Sequence, residues 1–202
     1  MITETQWLFP LIWAGLYTSD YCFTLACARL YQVQSTIVFE GSYEITPAFQ
    51  RDVNALRRIS PRFVAILIAS TVYVWFFARV SSAWDTRDVF TVAIGALVLI
   101  QLTVHLRHLR NWFLLRAVHR GSITGHMEYR RGVVLRGSAF ELLTFSALYA
   151  CLSVVTHNLF VLGGAIACSV LAASHYSLAR RHDASGAGLE NRAAHAANGH
   201  PS

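Results

Sequence analysis

The sequence predicts an all-α, polytopic membrane helix bundle with five transmembrane helices, the N-terminus outside and the C-terminus inside. Three observations predict it. First, 54% of the 202 residues are hydrophobic and only 14% are charged, where a soluble domain carries about 25% charged residues. Second, the chain contains several apolar runs near the length of about 20 residues that crosses a bilayer's hydrocarbon core. Third, His105 to Arg136 packs seven arginines and four histidines between two such runs. Segments rich in basic residues stay on the cytoplasmic side, so this one marks the inside and sets the direction of every neighbouring span.

Span one covers about residues 7–30. Trp7 and Trp13 suit an outer interface, Arg29 and Tyr31 an inner one. Pro10 sits in the first turn, where its missing N–H does little harm. The preceding residues, MITETQ, are acidic where a secretory signal would be basic, so no cleaved leader is expected. A connector follows. Within its second half, residues 46–60, Phe49, Val53, Leu56 and Ile59 recur at spacings of four and three, with arginines between them. Thr46 as cap and Pro47 at the first helical position start an amphipathic helix on the inner membrane surface. Ser60-Pro61 ends it.

Spans two and three cover about residues 63–84 and 89–104, joined by a tight outer turn at Asp85 to Asp88. A helical continuation should carry span three into the basic cytoplasmic segment 105–136, with a break at Gly121 to Gly125 and a strand-like return at 127–135. Span four covers about 139–155, opened by Ser138 and Glu141 in the S-x-x-E capping-box pattern. Thr156 to Asn158 makes the outer turn. Span five, about 159–178, is rich in small residues, which mean close backbone approach to neighbouring helices; its face over 163–174 also invites a membrane-protein partner or a second copy. Residues 179–202, small and polar, read as a disordered cytoplasmic tail. Under this layout 15 of the 17 arginines lie inside, and only Arg79 and Arg87 lie near the outer face.

The basic balance is net +6 with no lysine. It is accounted for by this inside bias and by anionic headgroups of the bilayer; no nucleic-acid recognition motif accompanies it, and nucleic acid is not an expected partner. Cys22, Cys27, Cys151 and Cys168 all fall in apolar runs without a C-x-x-C pair and read as small apolar residues. The layout places the protein in a bacterial inner membrane.

Asp20 is the sharpest anomaly. At the centre of a span a charged side chain costs about 2.5–3.5 kcal/mol on the mild insertion scale, so it must be neutral, paired or facing a polar cavity. Tyr17 and Thr24 share its helix face, and Ser70, Thr71, Ser146 and Ser169 lie at comparable depth. Glu44, Glu141 and His105 are further polar-site candidates. Arg107 and Arg110 are candidates for a phosphate or lipid headgroup, since guanidinium forks match phosphate geometry. No metal or cofactor is expected; were one bound, His105, His108 and His175 would be its ligands, and two facing imidazoles would suit haem. No catalytic fingerprint such as a P-loop or H-E-x-x-H occurs.

Asp20 to Thr24, D-Y-C-F-T, followed by Glu44-Ile-Thr-Pro47, resembles small uncharacterised prokaryotic multi-pass membrane proteins with a D-x-x-x-T pattern and then E-x-N-P. The resemblance covers about residues 10–50, with Thr46 in place of the Asn. It implies no activity; it implies that Asp20 and Glu44 belong to one site. The expected function is a small transport component or accessory subunit with an intramembrane polar site around Asp20. The alternative is an intramembrane or interfacial enzyme acting on a lipid or lipid-linked phosphate.

Overall fold

Long apolar helices dominate the computed structural model, which describes residues 7–44 and 46–198. The first six residues and the last four, parts of the expected N-terminus and tail, lie outside the described residues. Among the described residues six helices follow in order: α1 (Leu8–Gln32), α2 (Pro47–Asn54), α3 (Pro61–Ala83), α4 (Arg87–His119), α5 (Arg131–Thr156) and α6 (Leu159–Asn198). Two three-residue strands, β1 (Ile37–Phe39) and β2 (Met127–Tyr129), pair in parallel. The fold class is therefore all-α, with one small strand clasp that ties the connector to the basic segment.

Among the described residues four helices, α3 to α6, are long and apolar enough to cross a membrane. The 25-residue α1 has the length, but Tyr17, Thr18, Ser19, Asp20 and Thr24 in its middle keep it out of that group. Outward faces carry large apolar side chains, such as Ile68, Phe76, Phe140, Val155 and Val170. Water does not tolerate such a surface at this extent; hydrocarbon does, and the pattern is that of a membrane protein.

The centre of the bundle is α4. It packs against α1 and α3 on one side and α6 on the other, with α5 on α6. Glycines set the α4–α6 crossing: a Cβ on Gly95 would overlap the Phe160 backbone, and one on Gly163 would overlap the backbone of Val92 and Ala96. Small residues allow this approach, which gains dispersion contact where no hydrophobic drive exists between helices in lipid. Gly163, Gly164, Ala165, Cys168 and Ala172 are buried against α4 and α5. The small-residue face of 163–174 is thus largely occupied within the chain.

The helical continuation of span three is present: span three and the basic stretch after it form one unbroken helix, α4, which ends where Gly121 takes φ +73°. Several other local expectations change. The α2 helix stops at Asn54, short of residue 60. Asp52, buried, holds Arg57 at 3.1 Å and the Ser60 hydroxyl, which turns the chain back before the apolar period is complete. Ser60 caps α3 by accepting from the Phe63 N–H. Thr46 occupies the N-cap of α2 without a side-chain cap bond, and Pro47 is its first residue.

The capping box at Ser138 and Glu141 does not form, because α5 begins eight residues before Ala139, at Arg131. Both side chains are mid-helix and are drawn to α4 and α6 instead. Residues 179–198, read as a disordered tail, continue α6 as helix; their many alanines are strong helix formers.

Candidate functional site

A cavity of about 320 Å³ lies where α1, α4 and the connector meet, and Val134 of α5 with Leu171 and His175 of α6 complete its wall. It is assembled from a polar stripe on α1. Asp20, Thr24 and Cys27 follow one another at spacings of four and three, which puts them on one helical face. Opposite stands His108 of α4. Asp20 Oδ1 is 2.9 Å from His108 Nε2. Thr24 Oγ1 is 3.3 Å from the same nitrogen, and the Cys27 thiol donates to the His108 carbonyl at 3.5 Å. Asp20 is therefore neither isolated nor lipid-facing: it has an imidazole partner on the neighbouring helix.

On α4, Arg107, His108 and Asn111 all line the cavity. The Arg107 guanidinium reaches across to α5: Nη1 donates to Ser138 Oγ at 2.7 Å, and Nε lies 3.5 Å from Glu141 Oε2. Ser138 Oγ also shares a 2.8 Å hydrogen bond with His175 Nδ1 of α6. Glu141 is held at 2.8 Å by Arg110, which is largely exposed. This network is what took Ser138 and Glu141 away from capping.

The connector forms the inner wall. Tyr43, Glu44, Thr46, Phe49 and Val53 line it, and the clasp β1–β2 brings Phe39 beside Tyr43 and Tyr129. Glu44 Oε1 accepts from the Thr46 N–H at 2.7 Å. Burial pushes the Glu44 carboxyl above the usual carboxylate range; the bond from Thr46 and the neighbouring His108 oppose this, and Asp20 adds to it. Burial likewise raises the Tyr43 phenol. Aromatic rings complete the cavity: Phe63 stacks on Tyr21 at 4.3 Å and on Tyr17 at 5.6 Å.

Of the residues singled out from sequence, Asp20, Glu44, Arg107, His108 and His175 line this one cavity, with Tyr17 and Thr24 from the face of Asp20. Glu141 and Arg110 stand behind Arg107. His105 does not join them: its Nε2 meets Ser19 Oγ at 2.6 Å and its Nδ1 meets the Gln101 carbonyl at 2.6 Å. His105, His108 and His175 thus engage three different partners. Among the described residues no group of three or more His, Cys, Asp or Glu is arranged to hold a metal. Sequence reasoning named His108 and His175 only as metal ligands, named Ser138 only as a helix cap, and gave Tyr43 no role. One signal was present: the stripe Asp20, Thr24, Cys27 called for a polar partner helix.

No protein-family model matches this sequence, and no curated protein or solved structure matches it.

Proposed function

We propose that the chain is a five-span protein of the bacterial inner membrane, N-terminus outside and C-terminus inside, and that it serves as a small transport component whose ligand site is the cavity around Asp20. The observation that carries this reading is the Asp20–His108 pair, at 2.9 Å, lining one cavity with Glu44 and Arg107. Ionisable groups within membrane helices are costly, and a paired set around a cavity favours a role in binding an ion or substrate.

In this reading α1 is the fifth span, admitted by its packing on α3 and α4, which covers its polar middle. Arg107 lies 20 residues along α4 from Arg87, about 30 Å at 1.5 Å per residue, which matches the hydrocarbon thickness. The cavity then sits at the inner boundary and opens toward the connector. Since much of the small-residue face of α6 is covered by α4 and α5, a self-contained component is favoured over an accessory subunit. Reporter fusions at residue 125 should report the inside.

The deciding test needs no known substrate. Thr24→Cys, in a background with Cys22, Cys27, Cys151 and Cys168 replaced by alanine, is labelled with a membrane-impermeant maleimide from each side. A transport component exposes the cavity to both sides in turn, so labelling from outside as well as inside is expected. Labelling from the cytoplasmic side alone overturns the transport reading.

A second reading has a specific observation in its favour. Asp20, Glu44 and His108 place acid–base groups beside an anion-holding Arg107 in the same cavity, as an enzyme acting on a lipid-linked phosphate requires. Release of inorganic phosphate from a polyprenyl phosphate by wild type but not by Asp20→Asn would select it.

A further inference from the structure

The cavity holds donors that have no acceptor. Arg107 Nη2 is buried and makes no hydrogen bond, while Nη1 of the same guanidinium is spent on Ser138. The Tyr43 hydroxyl is also buried and makes no well-formed hydrogen bond, although the Cys27 thiol and the Asn111 amide lie beside it. Both residues line the cavity, one from α4 and one from the connector. Buried polar groups are almost always satisfied, and a charged donor left without an acceptor asks for one. The carboxylates nearby do not answer it. Asp20 is paired with His108, Glu44 accepts from the Thr46 N–H, and Glu141, held by Arg110, meets Arg107 only at Nε, 3.5 Å away, which leaves Nη2 unanswered. The rest of the wall is of a different character: Tyr17, Tyr21, Phe49 and Phe63 present rings.

We propose that the cavity binds an oxyanion, a carboxylate or phosphate, borne on a small apolar or aromatic body, with Arg107 Nη2 and the Tyr43 hydroxyl as its donors and the ring-lined wall taking the body. This rests on the cavity being the ligand site and names the class of ligand. The volume, about 320 Å³, is at the small end of ligand pockets. It takes a phenyl phosphate or a lipid headgroup and excludes a whole phospholipid. The shared chemistry is the oxyanion; its source is a free organic anion or the membrane itself.

The test uses the full chain in nanodiscs of phosphatidylcholine, titrated calorimetrically with phenyl phosphate, benzoate and inorganic phosphate. Saturable one-to-one binding of phenyl phosphate or benzoate is expected, with inorganic phosphate at least about tenfold weaker because it leaves the ring-lined wall unfilled. Arg107→Gln should abolish binding. Tyr43→Phe keeps the ring and removes only one donor, so it should fold normally and weaken binding about fivefold. A second set of nanodiscs contains phosphatidic acid. Loss of soluble-anion binding there assigns the site to a headgroup, and unchanged binding assigns it to a free anion. No saturable binding in phosphatidylcholine, or equal affinity in wild type, Tyr43→Phe and a folded Arg107→Gln, overturns the proposal. Thiol labelling from both sides together with absent anion binding would fell this inference alone and leave the transport reading standing.

Discussion

The two halves of the bundle meet the same surroundings and solve burial in opposite ways. Against α6, the helices α4 and α5 bury small groups: Gly95, Gly163, Gly164, Ala165, Cys168 and Ala172 let backbones touch. Its polar contacts are short and self-satisfied, such as Ser146 Oγ to Ser169 Oγ at 2.6 Å and to the Ala165 carbonyl at 2.9 Å. Against α1, the same α4 sets an imidazole on a carboxylate beside stacked rings and empty volume, and Arg107, which lines that volume, is anchored on the far side by Ser138 and Glu141 of α5. One interface is sealed; the other is furnished. A helix pair packed for stability alone has no use for the second arrangement, since replacing buried ionic groups with apolar ones is often neutral or stabilising. Under the proposed function the α1–α4–connector half is the working half and the α4–α5–α6 half its scaffold.

Disrupting the scaffold should have the largest effect. Gly163→Leu drives a side chain into the Val92 carbonyl and the Ala96 N–H. Backbone cannot yield as a side-chain tip can, so a loss of about 3 kcal/mol or more is expected, read as a drop in thermal stability in detergent. Retention of wild-type stability would show that the α4–α6 approach is looser than drawn. Next comes His108→Leu, which leaves Asp20 without its partner. A fully buried pair broken this way costs about 3–5 kcal/mol. Asp20 retains some exposure, 23% of its side chain, so about 2 kcal/mol is expected. The double variant His108→Leu with Asp20→Leu should recover most of that loss. If the double variant is no better than the single one, the two groups are not energetically paired.

How much was legible beforehand follows the same division. The long apolar helices were readable because hydrocarbon demands about 20 apolar residues in a row, and α3, α4, α5 and α6 supply them. The small-residue face of α6 was readable as close packing on neighbouring helices or on a partner, and spacing alone does not choose between the two. Asp20 stood out by its cost, and Glu44 was tied to it by resemblance. His108 was not readable as the partner of Asp20. It sits next to Arg107 among four histidines and seven arginines in 32 residues, and periodicity alone cannot say which of them turns inward. Ser138 and Glu141 were misread because a local cap and a tertiary network use the same residue types at the same spacing. The strand clasp was invisible for a related reason: Ile37–Phe39 and Met127–Tyr129 pair across about 90 residues of chain.

Within the scaffold, Ser146→Ala removes the bond to Ser169 and to the Ala165 carbonyl. Hydrogen bonds between membrane helices average about 0.6 kcal/mol, so a loss near that size is expected by equilibrium unfolding in mixed micelles. A loss several times larger would mean that the sealed half depends on polar contacts, contrary to the division drawn above.

The smallest effect at any one pH should come from Glu44→Gln, because the amide keeps the shape and an oxygen for the Thr46 N–H. Its value lies in the pH dependence. Burial raises the Glu44 carboxyl above its ordinary range, so the folded chain holds that proton more tightly than the unfolded chain does. Stability then falls with rising pH wherever the folded state binds more protons. The contribution is fully present below the unfolded value, about 4.3, and is lost as pH rises through the higher folded value. Wild type should lose stability relative to Glu44→Gln across that window, and the difference should level off above it. A difference that stays flat with pH, or runs the other way, would place Glu44 in a solvated position outside the working half; an oxyanion in the cavity should widen the window by favouring the protonated carboxyl.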